Sequence, residues 1–215
     1  MSAAFDASTL SPPVETLVRT LAPAYESARG DLVRYAAALA RFGAHTDLVG
    51  AKTPEALAEI ALADALVLAR DPALCASPGW EIGAGGASLS VPLALLLPAF
   101  TGRLVEPRQK RATFLRLAIG TLGLAPRLTI DQGRVDPARP PRDIAGCAFG
   151  RAVFAPDVWI PLAAAVVRPG GAFAVLTTGS LVVPPGYDRV AEDRYTLPFA
   201  RVERVTTWLR AAAPR

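Results

Sequence analysis

The sequence predicts an α/β protein in which a mostly parallel sheet follows an N-terminal helical extension. In the first third of the chain, apolar residues recur at helical spacing. After Ser77-Pro78, short apolar segments alternate with helical ones, which is typical of a parallel sheet with right-handed crossovers. The last two apolar segments have no helix between them, so they predict an antiparallel strand pair at the edge of the sheet.

The helical extension is predicted to cover residues 1–76. Residues 1–10 have the character of a frayed tail. The first helix is expected to begin at Ser11, whose hydroxyl can cap it ahead of two prolines that preset φ. Pro23 is expected to interrupt this helix. Two further helices are predicted at 32–43 and 53–71.

Residues 77–215 are predicted to form the sheet domain, in one compact unit with the extension. The parallel strands are predicted at 79–82, 103–105, 127–130, 144–149 and 172–176, and the helices between them at 88–97, 107–122 and 157–167. Residues 168–171, Arg-Pro-Gly-Gly, predict a turn before the fifth strand. The antiparallel pair is predicted at 188–197 and 202–209.

Composition excludes several classes of protein. A chain that is 52% hydrophobic and 20% charged is not disordered. No apolar run reaches the ~20 residues of a membrane helix. A secretory signal would require basic residues near the N-terminus, and none precedes Arg19. We therefore expect a cytoplasmic protein. Two cysteines and one histidine, His45 in a polar loop, leave little basis for a zinc site or a disulfide framework.

The strongest local motif is a glycine-rich run between the first predicted strand of the sheet and the helix after it. A dinucleotide fingerprint would need glycine at position 88, where Ser88 stands. An acidic-x-Gly-x-Gly loop is instead typical of S-adenosylmethionine enzymes, and Glu81 could then reach the amino end of that cofactor. A tight strand–helix turn without a ligand is the alternative. The predicted cofactor residues in this run are Glu81, Gly83, Ala84, Gly85 and Ala87.

A second acidic residue, Glu106, stands at the end of the second predicted strand. It lies close to the ~20-residue offset at which a carboxylate after such a loop accepts hydrogen bonds from ribose hydroxyls. The alternative is an acidic residue favoured by the dipole of the next helix. Together with the glycine-rich run, Glu106 predicts a nucleoside-binding crevice at the carboxyl ends of the strands.

Basic residues follow the same strand ends. The net charge of +4 is compatible with a polyanionic partner. Arginines that converge on the crevice could bind phosphates, although such a run is commonly a solvated surface. Asp64 stands among apolar residues of the third predicted helix, where a charge should be paired or functional. The basic residues of interest are Arg108, Lys110, Arg111, Arg116, Arg134, Arg142 and Arg151.

Several segments, which occur in the same order along the chain as in the family, resemble the GidB-type small-subunit ribosomal RNA methyltransferases (methyltransferase G). The helix at 60–68 resembles a His-x-x-Asp-Ser helix and keeps Asp64, and 110–115 resembles Lys-Arg-x-x-Phe-Leu. The glycine-rich run departs from the family pattern, because Ala87 and Ser90 stand in place of glycines, and Gly86 and Leu89 stand in place of prolines. The similar segments are 35–50, 60–68, 81–94, 106–115, 133–136, 150–152, 197–198 and 203–204.

The resemblance implies a class I methyltransferase fold, S-adenosylmethionine as cofactor, and methyl transfer to guanine N7 in small-subunit ribosomal RNA. It adds Arg134 and Val135 to the predicted cofactor residues. It assigns Lys110, Arg111, Arg151 and Arg204 to the RNA, with Arg151 and Asp64 as positioning candidates. The expected partner of this chain is ribosomal RNA or the small ribosomal subunit. The chain itself is expected to be a monomer.

Two other functions remain open from the sequence. A diverged methyltransferase could use the same cofactor with another acceptor. A non-catalytic descendant could bind RNA or a partner without turnover, because several residues that would face substrate in the family are replaced here, such as the helix histidine by Ala61. A nicotinamide dehydrogenase is disfavoured by the lack of glycine at position 88.

Overall fold

Seven strands form one mixed sheet in this computed structural model, which describes residues 5–43, 48–86, 88–142 and 144–212. The strands are β1 (Gly79–Ile82), β2 (Gly102–Val105), β3 (Leu128–Asp131), β4 (Ala145–Phe149), β5 (Val167–Thr177), β6 (Tyr187–Thr196) and β7 (Glu203–Ala211). Their order is β3-β2-β1-β4-β5-β7-β6. The first five are parallel, and β7 is antiparallel to both β5 and β6. The predicted parallel core and antiparallel edge pair are confirmed.

Helices cover both faces of this sheet. They are α1 (Ala7–Leu21), α2 (Arg29–Gly43), α3 (Pro54–Ala58), α4 (Asp64–Leu68), α5 (Ser90–Leu96), α6 (Gln109–Thr121) and α7 (Pro156–Val166), with a short 3₁₀ helix at Pro23–Ala28. The helices of the extension share one apolar core with α5, α6 and one face of the sheet, and Trp208 of β7 is fully buried in it. Trp159 of α7 packs with Trp80 of β1 on the other face. The extension therefore covers a face of the sheet, and the boundary at residue 76 stays a prediction.

The start of the first helix differs from the prediction. Residues 7–10, expected in a tail, are helical, because the Asp6 carboxylate accepts a hydrogen bond from the backbone N–H of Thr9 at 2.9 Å and caps the helix. The apolar stripe begins at Leu10, ahead of the proline pair, and that residue is fully buried. The two prolines therefore lie inside α1 rather than at its start.

The third predicted helix contains a π turn that the sequence pattern did not indicate. Thr53, where the third helix is predicted to begin, caps α3, since its hydroxyl oxygen accepts a hydrogen bond from the N–H of Ala56 at 3.2 Å. Residues Glu59–Ala63 then form the π turn before α4 continues the helix. Such a turn inserts one residue into a helix and often occurs at functional sites.

The turn predicted at 168–171 is a bulge inside β5. The register of β4 with β5 shifts between Ala145↔Val167 and Cys147↔Ala172, so extra residues of β5 loop out of the ladder. Gly170 takes the positive φ of +81° that this bulge needs. Within the described residues, no helix is both long and apolar enough to cross a membrane.

Candidate functional site

The glycine turn after β1 is fixed by its backbone. The N–H groups of Gly83 and Ala84 both donate to the carbonyl of Val105, at 2.9 and 3.1 Å. Gly83 has φ +68° and Gly85 has φ +64°, in the left-handed region that side chains disfavour. A Cβ at Gly83 would lie 2.4 Å from Cγ2 of Val153. Position 83 therefore requires glycine for both its conformation and its surroundings.

Glu106 connects this turn to the end of β2. Its Oε2 accepts a hydrogen bond from the N–H of Gly85 at 2.8 Å, and its Oε1 accepts one from the N–H of Arg108 at 2.7 Å. The residue is only 2% exposed. Because a carboxylate has about four acceptor positions, these two bonds leave capacity for hydroxyl donors of a ligand. The structure places Glu106 against the glycine turn, and its contact with the ribose of a cofactor stays a prediction.

Glu81 holds the start of α5. Its Oε1 accepts from the N–H of Leu89 at 2.7 Å, and its Oε2 accepts from the N–H of Ser90 at 2.9 Å and the Ser88 hydroxyl at 2.6 Å. Burial raises the pKa of the Glu81 carboxyl above its usual range, while these hydrogen bonds oppose that shift. A proline at position 89 would have no N–H to donate here. The contact of Glu81 with the cofactor stays a prediction, and its carboxylate already has three donors from this chain.

Tyr35 of α2 lies beneath the loop that follows the glycine turn. Its hydroxyl donates to the carbonyl oxygens of Gly86 and Ser88 at 3.4 and 3.5 Å, and the residue is fully buried. Burial, reinforced by the charge of Glu81, raises the pKa of Tyr35 well above its usual value. The extension therefore supports the loop directly.

Arg151 follows β4 and is held by the extension. Its Nη1 donates to the Ile60 carbonyl at 2.7 Å and to Oδ2 of Asp64 at 3.0 Å. Oδ1 of Asp64 accepts a hydrogen bond from the Tyr195 hydroxyl of β6 at 2.6 Å. Asp64 is only 4% exposed, so its charge is paired in the interior as its position among apolar residues predicted.

A second buried carboxylate, which lies in the π turn itself, binds the β6–β7 connection. Glu59 accepts hydrogen bonds from the N–H of Phe199 at 2.6 Å and from the N–H of Ala200 at 3.1 Å. Glu59 is 5% exposed. Glu59 and Asp64 thus both contact the C-terminal hairpin, and they attach the extension to it.

These groups surround a cavity of about 570 Å³ at the carboxyl ends of β1, β2, β3 and β4. Its volume is typical of small-molecule sites, and open α/β sheets bind ligands at this edge. Asp64 does not line the cavity and reaches it only through Arg151. The predicted residues that line it are Glu81, Gly83, Ala84, Gly85, Glu106, Arg111, Arg134, Val135 and Arg151.

Three arginines at the cavity have no partner within the described ranges. The side chains of Arg108, Arg111 and Arg134 make no hydrogen bond or ion pair with another residue that the structure describes. Unpaired guanidinium groups gathered at one opening favour an anionic ligand, since each has donors in a planar fork that fits phosphate.

Two predicted RNA residues lie away from the cavity. Lys110 is exposed on α6, and Arg204 lies half-buried on β7 directly opposite Tyr195. Contacts of either residue with RNA stay predictions. Ala87 and His45 are outside the described residues.

The sequence did not single out Tyr195, Ile60 or Ser88. A buried tyrosine late in the chain has no local signal, because its partner stands 131 residues earlier. Ser88 could have been found, since a hydroxyl at the start of a helix is a capping signal. Tyr35 begins the segment 35–50 that resembles the family, but the resemblance does not indicate its contact with the loop.

Comparisons with known proteins agree with this architecture. The S-adenosylmethionine-dependent methyltransferase of Geobacter sulfurreducens, solved with S-adenosyl-L-homocysteine, superposes with a TM-score of 0.54 at 16% identity, covering 69% of this chain and 90% of that chain. This level of similarity shows a shared fold. The fold is that of the class I methyltransferases, as the sequence resemblance predicted.

Sequence relatives point to a single group of proteins. The ribosomal RNA small subunit methyltransferase G of Anaeromyxobacter dehalogenans strain 2CP-1 is 29% identical over 196 residues, which cover 86% of this chain and 90% of that one. The protein of the same name in Nitrosomonas europaea is 33% identical over 106 residues. That alignment covers 49% of this chain and 48% of the relative, so the chain spans about half the length of that relative.

A family model supports the same grouping over a longer segment. The GidB model, described as rRNA small subunit methyltransferase G, matches residues 29–181. This segment contains α2, the π turn and all of the cavity residues named above. The chain therefore belongs to the rRNA small subunit methyltransferase G family.

Proposed function

We propose that this chain transfers a methyl group from S-adenosylmethionine to N7 of a guanine in small-subunit ribosomal RNA. The observation that carries the proposal is the cavity, which combines a glycine turn, a buried carboxylate and four arginines at one edge of the sheet. The names of the relatives supply the class of RNA.

The residues at the cavity fit the cofactor. The positive φ angles of Gly83 and Gly85 let the backbone approach a ligand closely. Glu106 is buried at the wall with unused acceptor positions, which suits a ribose edge. Gly83, Ala84, Gly85, Glu106, Arg134 and Val135 would hold S-adenosylmethionine, with Ala87 and Glu81 as further candidates.

The chain itself has little proton chemistry to perform. Bound S-adenosylmethionine supplies an electrophilic methyl group. Guanine N7 has a free lone pair, so no general base is needed for the attack. The task of this chain is therefore to orient the acceptor and exclude water, and Arg151 at the cavity wall is the candidate for orienting it.

RNA binding is assigned to the arginines around the opening. Arg108 and Arg111 would neutralise phosphates and release counterions. Lys110 and Arg204, which lie outside the cavity, would contact more distant parts of a large RNA. The proposal includes that the chain acts as a monomer in the cytoplasm. Light scattering after gel filtration would test the oligomeric state.

A second candidate is RNA binding without turnover. It is favoured by Glu81, whose carboxylate accepts three hydrogen bonds from the start of α5. While it accepts those bonds, Glu81 has less capacity to bind the amino end of the cofactor.

Titration calorimetry with S-adenosylmethionine, followed by methyl transfer to isolated small ribosomal subunits, separates these candidates. We expect micromolar binding and base methylation by the wild-type chain. Glu106→Ala should weaken cofactor binding by about 1–3 kcal/mol, because charge-assisted hydrogen bonds are lost. Glu203→Ala, at an exposed carboxylate on β7, is the matched control and should leave binding unchanged.

Each other outcome excludes one proposal. Binding without methylation of the small subunit would favour another acceptor. No binding near millimolar cofactor would favour the non-catalytic candidate. Unchanged affinity of Glu106→Ala would remove Glu106 from the site.

A further inference from the structure

A chain of three polar side chains connects the C-terminal hairpin to the cavity. The Tyr195 hydroxyl donates to Oδ1 of Asp64 at 2.6 Å, and Nη1 of Arg151 donates to Oδ2 at 3.0 Å. Tyr195 and Asp64 are buried, and Arg151 is the member of the three that lines the cavity. The segments involved are β6, the helix after the π turn and the loop after β4.

The two bonds to Asp64 use opposite oxygens of one carboxylate. A carboxylate can rotate about its last side-chain torsion, and this torsion has broad preferences. The hydroxyl bond to Oδ1 restricts that rotation and so aims Oδ2 at Arg151. Burial raises the pKa of Tyr195 well above its usual value, so the hydroxyl keeps its proton and remains a donor at neutral pH.

Arg151 depends on this carboxylate for its direction. Its Nη1 has a second acceptor in the Ile60 carbonyl at 2.7 Å. A carboxylate attracts a guanidinium more strongly than a neutral backbone carbonyl does. Loss of the fixed Oδ2 should therefore let Arg151 adopt other directions without leaving the cavity wall.

We propose that Tyr195 is a positioning residue that acts through Asp64. It fixes the Arg151 guanidinium in the direction that the acceptor nucleotide requires. This inference rests on the proposed function, because an oriented arginine at the cavity matters only if an acceptor binds there. It adds the C-terminal hairpin to the parts of the chain that determine activity.

The test removes only the Tyr195 hydroxyl. Tyr195→Phe should lower kcat for methyl transfer to small ribosomal subunits roughly tenfold, the cost of a hydrogen bond to a charged group. Its affinity for S-adenosyl-L-homocysteine, measured by calorimetry, should not change. Tyr25→Phe is the matched control, since it removes a hydroxyl that donates to the Ala69 carbonyl at 2.6 Å outside this network. The control should leave kcat unchanged.

A double variant separates positioning from a general structural role. With Arg151→Ala as the background, Tyr195→Phe should cause no further loss of methyl transfer, because its only route to the acceptor is gone. The same fractional loss in both backgrounds would overturn the proposal. Equal kcat for Tyr195→Phe and the wild-type chain would also overturn it.

A binding measurement keeps this proposal distinct from the proposed function. If the wild-type chain transfers no methyl group, the proposed function fails, and the Kd for a small-subunit RNA fragment becomes the readout. Tyr195→Phe should then raise Kd when Arg151 is present and leave it unchanged when Arg151 is replaced by alanine. Equal effects in the two backgrounds would contradict the positioning role.

Discussion

The cavity has two walls that are built in different ways. One wall, which we call the loop wall, consists of the turn at 83–86 and Glu106, and the backbone N–H of Gly85 donates to the Glu106 carboxylate 21 residues later in the chain. The other, which we call the arginine wall, is Arg151 at the cavity with Asp64 and Tyr195 behind it. The side-chain contacts of these three residues span 87 and 131 residues of chain.

The difference concerns how each wall responds to change. In a wall made of backbone turns, the φ angles and the close contacts restrict the conformation, so a single added atom disturbs the whole wall. A wall made of side-chain hydrogen bonds can lose one bond while the others remain. We therefore expect abrupt losses from substitutions in the loop wall and graded losses from those in the arginine wall.

The largest effect is expected at Gly83. Gly83→Ala adds a Cβ that would lie 2.4 Å from Val153 at a position with φ +68°. The combined clash and conformational cost should lower the free energy of unfolding by about 2–5 kcal/mol. Urea unfolding measures this change.

A second variant sharpens that test. In a Val153→Ala background, the clash at position 83 is relieved while the positive φ remains. Gly83→Ala should then cost less than it does in the wild-type chain, but more than zero. An equal cost in both backgrounds would show that the contact with Val153 does not constrain the loop wall.

An intermediate effect is expected beside the arginine wall. Glu59→Ala leaves the N–H groups of Phe199 and Ala200 without their acceptor. The free energy of unfolding should fall by about 1–3 kcal/mol, and amide exchange at those two residues should accelerate. Glu203→Ala removes an exposed carboxylate and serves as the control. Unchanged exchange at the two amides would contradict the conclusion that the π turn is attached to the hairpin through Glu59.

The smallest effect is expected for RNA binding. Arg111→Ala should weaken binding of a small-subunit RNA fragment and reduce the slope of log K against log salt by about 1, the loss of one phosphate contact. Arg116→Ala, on the same helix but hydrogen-bonded to Gln132 and outside the cavity, is the matched control. Equal slopes for Arg111→Ala and the wild-type chain would make Arg111 an ordinary surface residue.

The loop wall could be predicted from sequence because its parts are near one another along the chain. A glycine run at a strand end and an acid one strand later together indicate a crevice, and the structure brings Gly85 and Glu106 into contact. The arginine wall could be predicted only in part. The sequence singled out Asp64 and Arg151 separately, but no local pattern indicates that residues 87 positions apart form an ion pair.

Other placements that the sequence pattern did not indicate have local physical causes. Lys110 and Arg111 are neighbours, yet successive residues on a helix differ by about 100° in direction, so only one lines the cavity. Strand register sets Arg204 opposite Tyr195, and its contact with RNA, which the resemblance implies, stays a prediction. The Asp6 cap extends α1 past the point where two prolines suggested its start.

The π turn has a consequence for insertions and deletions in this segment. Glu59 and Asp64 are five residues apart, and both contact the hairpin because i→i+5 bonding brings such residues to one side of a helix. Deletion of one residue between them would leave a continuous, ordinary α-helix in which the two acids are four residues apart. The number of residues between these two acids, rather than their identity alone, thus indicates whether the helix contains the extra residue of a π turn.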